Sequence, residues 1–140
     1  MVTTTSDMVW NSISKRPRSS HKGTFGSVLA VAGSASYRGA AALAVEGALR
    51  TGAGIVTLAS VEPVLAAVSA RLPECCLCPC EAGAAGGIAP ENIPRIQCQK
   101  ATVLLLGPGL GYTVQSAARA AETRMPVSYT HLTLPTKLEV

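Results

Sequence analysis

Three short apolar runs, each followed within a few residues by helical periodicity, constrain the fold of this 140-residue chain more than any other feature. They are Ser27–Ala32, Gly54–Ala59 and Ala101–Leu106. A strand half exposed to water alternates apolar and polar residues; one that is apolar at successive positions must be covered on both faces, as parallel sheets are. After the first run, Arg38–Arg50 is rich in alanine, the best helix former, and Gly52 stands where a helix C-cap belongs. After the second, Glu62–Leu72 carries Leu65, Val68 and Leu72 three and four apart, one apolar stripe. After the third, Thr113–Glu122 resumes a helical pattern. Strand alternating with helix predicts an α/β domain with a mainly parallel sheet flanked by helices.

The rest of the chain sets limits on this reading. An apolar fraction of 48% and a mean hydropathy of +0.32 supply a packed core and exclude a wholly disordered chain. No apolar run approaches the ~18 residues of a membrane span. Met1–Ser14 is polar and lacks a secretory core, and five cysteines without one suit a reducing compartment, so the expectation is a cytoplasmic chain with no membrane partner. Of the net charge of +4, Lys15, Arg16, Arg18 and Lys22 crowd the beginning, and the remainder is nearly balanced. Residues 1–22 therefore read as a flexible, irregular basic leader, and no nucleic-acid signature accompanies them. Glu81–Pro94, rich in Gly, Ala and Pro, reads as a surface loop, and residues 128–140, Thr-rich and polar, as a tail foreign to the domain.

Two glycine-bordered turns follow strands at the sheet edge where open α/β folds bind ligands. Gly107-Pro-Gly-Leu-Gly111 has the spacing of neither a dinucleotide fingerprint nor a P-loop. Gly33-Ser-Ala-Ser-Tyr-Arg-Gly39-Ala40 is the second turn. Glycine lets backbone approach a ligand closely, although both stretches also read as plain strand-to-helix connections. His21 beside Lys22 reads as a solvated pair rather than an acid/base. Cys75, Cys76, Cys78, Cys80 and Cys98 are poorly spaced for tetrahedral zinc; Cys76, Cys78 and Cys80 read as one buried face of a strand, and no metal site is expected. The single aspartate is Asp7, far from either turn in sequence.

Taken in order, His21-Lys22-Gly23-x-x-Gly26, the Ala-Gly-Ser strand end, Gly39-Ala40-Ala41, Ala48-Leu-Arg50-x-Gly52-Ala-Gly54, Leu72-Pro73-Glu74 and Gly107-Pro-Gly-Leu-Gly111 resemble the ADP/ATP-dependent NAD(P)H-hydrate dehydratases, which have a ribokinase-like fold. The resemblance runs from Ser20 to about Val127, with residues 23–127 as the N-terminal part of that domain, a sheet truncated about midway. It implies metabolite repair: ADP or ATP with Mg²⁺ activates hydrated NAD(P)H, a small-molecule dinucleotide, for elimination back to NAD(P)H. By analogy Gly39, Ala40, Gly107 and Gly109 line the hydrated-cofactor site, and the full-length protein is a homo-oligomer. The family's adenine-nucleotide segments and its Gly-x-Gly-Asp base belong to a part not matched here. No catalytic or nucleotide-binding residue is therefore assigned; the isolated chain is expected to be inactive, with an apolar edge strand unpaired. A non-catalytic nucleotide-binding module and a fragment of a ribokinase-like small-molecule kinase are the alternatives.

Overall fold

The computed structural model describes residues 4–13 and 16–111. Four parallel strands form one sheet in the order β3-β2-β1-β4, where β1 is Ser27–Val31, β2 is Ile55–Val61, β3 is Cys76–Cys80 and β4 is Val103–Leu106. The helices are α1 (Ser6–Ser12), α2 (Arg38–Arg50), α3 (Glu62–Ser69) and α4 (Ile93–Gln97). The α/β reading thus holds, and the three apolar runs are three of the four strands. β1 lies in the sheet interior, with Val28 opposite Val56 on one side and Val103 on the other. That position explains its continuous apolar character, since Leu29, Ala30, Val31 and Ala32 are all buried.

Helix α2 packs on β1 and β2, α3 packs on β2 and β3, and the two helices touch each other. Val45 of α2 and Val64, Leu65 and Val68 of α3 join Leu29 and Leu58 in a single core. α2 ends as its sequence predicts: the Gly52 amide donates to the Leu49 carbonyl (3.1 Å) and the Ala53 amide to the Ala48 carbonyl (3.2 Å), a Schellman closure. None of the helices among the described residues is long and apolar enough to cross a membrane.

The structure corrects four local readings. The N-terminal stretch is not irregular throughout, because Thr5 caps α1 by accepting from the Met8 amide (3.3 Å). Arg16 also docks on the fold, donating to the Gly52 carbonyl (2.9 Å) with its guanidinium 4.3 Å from the Phe25 ring centroid. α3 stops at Ser69, three residues short of the predicted end, and Leu72 reaches the core from the turn that follows.

Glu81–Pro94 is more than a surface loop. It contains an Ala82–Ile88 bridge, a 3₁₀ turn at Pro90–Asn92 and the start of α4. Buried Asn92 organises it, accepting from the Glu81 amide (2.9 Å) and donating to the carbonyls of Glu81 (3.0 Å) and Ala89 (2.9 Å). Of the three alternating cysteines, Cys78 and Cys80 are buried but Cys76, opening the edge strand, is exposed; Cys75 is buried instead. The predicted helix at Thr113–Glu122, the strand at Pro126-Val127 and the tail 128–140 lie outside the described residues.

Candidate functional site

The carboxyl ends of β1 and β4 are stitched together. The Gly107 amide donates to the Val31 carbonyl (3.2 Å), and the Gly33 amide donates to the Pro108 carbonyl (2.7 Å). On the other side of β1 the buried Ser60 hydroxyl donates to the Ala32 carbonyl (2.6 Å), tying the exit of β1 to β2. Gly33 has φ +82°, and a Cβ there would lie 2.8 Å from Val64 Cγ1 and 2.9 Å from the Ala41 Cβ. Glycine is needed because α2 and α3 close over the strand end at this point.

The two turns singled out from sequence meet at this rim. Gly109 has φ +68°, and a Cβ there would lie 2.7 Å from the Ala40 Cβ and 2.9 Å from the Tyr37 carbonyl oxygen. Only a residue without a side chain permits the Gly107–Gly111 turn to rest on the first turn of α2. At Gly39 and Gly107, both exposed, a Cβ would meet nothing within 4 Å. Of the four predicted site residues, then, Ala40 and Gly109 are in contact, while Gly39 and Gly107 border open space.

A third turn, which the sequence reading did not include, joins the same rim. The Ala35 amide donates to the Gly86 carbonyl (2.9 Å), and a Cβ on Gly87 would lie 3.2 Å from the Leu110 carbonyl oxygen. This turn closes on itself through the Gly83 amide to the Gly87 carbonyl and the Gly86 amide to the Gly83 carbonyl, both 2.8 Å. The signal available was Gly83, Gly86 and Gly87 within five residues, which composition alone could not distinguish from a solvated loop.

Arg38 donates from Nε to the Ala35 carbonyl (3.1 Å), and no ion pair among the described residues involves it. Glu46, farther along α2, is held by Arg50 (2.6 Å) and Arg71 (2.7 Å). His21 is occupied in local structure: its Nδ1 accepts from the Gly23 amide (3.1 Å), and its amide donates to Thr24 Oγ1 (3.3 Å). Burial pushes the Cys75 thiol up to about 11 and the Cys80 thiol up to about 12, so neither is a thiolate nucleophile or ligand near neutrality. Among the described residues no group of three His, Cys, Asp or Glu could hold a metal ion.

This geometry has counterparts among known proteins. A family model described as NAD(P)H-hydrate dehydratase matches residues 28–127, from the second residue of β1 past the Gly107–Gly111 turn. The chain belongs to the NAD(P)H-hydrate dehydratase family. A bifunctional NAD(P)H-hydrate repair enzyme of Gloeobacter violaceus is 41% identical over 101 residues, 72% of this chain and 20% of that protein. An ADP-dependent (S)-NAD(P)H-hydrate dehydratase of Listeria monocytogenes is 39% identical over 101 residues, 71% of this chain and 33% of that enzyme. Among solved structures, an ADP/ATP-dependent NAD(P)H-hydrate dehydratase of Bacillus subtilis co-crystallized with ATP/Mg²⁺ superposes with a TM-score of 0.70 at 28% identity, covering 88% of this chain and 42% of that one. A ribokinase-like superfamily protein of Enterococcus faecalis gives 0.71 at 25% identity, covering 86% and 39%. The chain therefore spans between a fifth and about two-fifths of these relatives' lengths. The ribokinase-like assignment of the fold holds.

Proposed function

We propose that the NAD(P)H-hydrate dehydratase of which this chain forms part restores hydrated NADH and NADPH by nucleotide-dependent dehydration, and that the residues described here supply its dinucleotide-binding side. The observation that carries this reading is the contact of Gly109 with Ala40, which joins two glycine turns beside the open space at Gly39 and Gly107. Backbone amides and small side chains there would seat the hydrated ring and its ribose, with Gly39, Ala40, Gly107 and Gly109 as the contact residues.

Dependence on ADP or ATP with Mg²⁺ comes to this proposal from the similar enzymes. The described residues offer no carboxylate cluster to fit the ion. Elimination of water needs a positioned base. The single aspartate of this chain, Asp7, lies in α1 and not at the glycine rim. Our reading is therefore binding without turnover by the 140-residue chain.

The test is a calorimetric titration of this chain with NADPH hydrate, paired with a 340 nm assay for recovered NADPH in the presence of ATP and Mg²⁺. Saturable binding with a flat absorbance trace is expected. Absence of binding would overturn the placement of the site, and turnover would overturn the assignment of catalysis to residues outside it.

A further inference from the structure

Two serines lie near the exit of β1, and their hydroxyls are used differently. Ser60 is fully buried and its hydroxyl donates to the Ala32 carbonyl. Ser34 is 4% exposed, yet among the described residues its hydroxyl makes no hydrogen bond; only its carbonyl is engaged, by the Tyr37 amide (3.0 Å). No fully buried side-chain polar atom lacks a partner among these residues, so the Ser34 hydroxyl is not sealed from solvent. A hydroxyl on a residue this enclosed, left without a protein partner, is available to a bound molecule.

Its position supplies one. Ser34 stands between the Gly33 amide, bonded to the Gly107–Gly111 turn, and the Ala35 amide, bonded to Gly86. It is thus the residue at which all three rim turns converge. We propose that Ser34 is a substrate-positioning residue whose hydroxyl hydrogen-bonds a polar oxygen of the hydrated dinucleotide. The inference rests on the binding-site reading above and deepens it, because one hydroxyl can both donate to and accept from a ribose hydroxyl or carboxamide, which no single backbone amide or carbonyl can.

The experiment compares the wild-type chain with Ser34→Ala and Ser34→Cys, titrating each with NADPH hydrate and, separately, ADP, and recording its melting temperature. Loss of one hydrogen bond should weaken binding of NADPH hydrate about three- to tenfold in both variants. ADP, whose binding segments belong to the unmatched part of the family domain, should titrate none of the three chains, and the melting temperature should stay within about 1 °C of wild type, since no protein hydrogen bond is lost.

Unchanged affinity for NADPH hydrate would overturn the proposal, and so would a melting temperature several degrees lower in both variants, which would mark a structural hydroxyl. ADP binding by the wild-type chain that both variants weaken would assign the hydroxyl to the adenine nucleotide instead and overturn it equally. Failure of the wild-type chain to bind NADPH hydrate would sink the site reading itself, whereas wild-type binding with an unaffected Ser34→Ala would sink the role of Ser34 alone.

Discussion

Gly109 shows how much can depend on one absent side chain. Its Cβ position is occupied by Ala40 and the Tyr37 carbonyl, and its φ of +68° is one that side-chain-bearing residues rarely adopt. Gly109→Ala must therefore push the Gly107–Gly111 turn off α2. We expect a loss of about 1–3 kcal/mol, from strain and lost packing together. Binding of NADPH hydrate should weaken at least tenfold, read by chemical denaturation and calorimetry. Ala40→Gly relieves the contact from the other side, so the double variant should recover part of that binding. Ser60 gives the complementary case: Ser60→Ala removes a buried donor from the Ala32 carbonyl and should cost about 1–2 kcal/mol in a denaturant titration.

The thiols make a further prediction at this scale. Cys76 and Cys98 are exposed, whereas Cys75, Cys78 and Cys80 are buried. An alkylating reagent at pH 8 should modify the first pair in the native chain and all five only after denaturation, which intact-mass spectrometry resolves. The pair of raised thiols also fixes the sign of a pH effect. Burial holds Cys75 and Cys80 protonated up to about 11 and about 12, while in the unfolded chain they ionise near 9.0. Above that value the unfolded state binds fewer protons than the native one, so stability falls as pH rises through this window and their contribution is complete below it. The melting temperature should decline from pH 9 to 11, and less steeply in a Cys75→Ala/Cys80→Ala variant.

At the scale of elements, the order strand, helix, strand was legible because β1 and β2 lie inside the sheet and α2 and α3 cover it, so periodicity and burial agree. α2 matched its predicted bounds because alanine content and the Gly52 closure act within one helix. The elements that escaped notice carry no apolar periodicity of their own. α1 is a short helix whose Met8, Val9 and Trp10 remain exposed, so no apolar stripe required it. The 81–92 segment is ordered by the Asn92 side chain, which takes the place of a neighbouring strand for Glu81. Asn92→Ala strips three hydrogen bonds and should cost about 2–3 kcal/mol. It should also speed hydrogen exchange at the Glu81 and Ala89 amides before it alters exchange in β1.

For the molecule as a whole, the first and second crossings of the sheet meet at Gly54. A Cβ there would run into the Lys22 carbonyl, and the Gly54 and Ile55 amides both donate to the Gly26 carbonyl (3.1 and 3.3 Å). The segment before β1 is thereby locked to the entrance of β2. Gly54→Ala should unfold the chain or lower its melting temperature by well over 5 °C, on the order of a severe backbone clash, as differential scanning fluorimetry would show.

Sequence alone determined that a parallel sheet would form, because apolar runs without alternation must be covered on both faces, that Gly39 and Ala40 would open a helix, and that Gly107 and Gly109 would follow a strand. Those are consequences of local pattern and of side chains that are missing. Tertiary structure decided which turns share a rim, that Gly83–Gly87 joins them, and that Ser34 rather than Ser60 keeps a hydroxyl unpaired among the described residues. Each of these is settled by the register between strands, which sets distances across the sheet that no short stretch of chain contains.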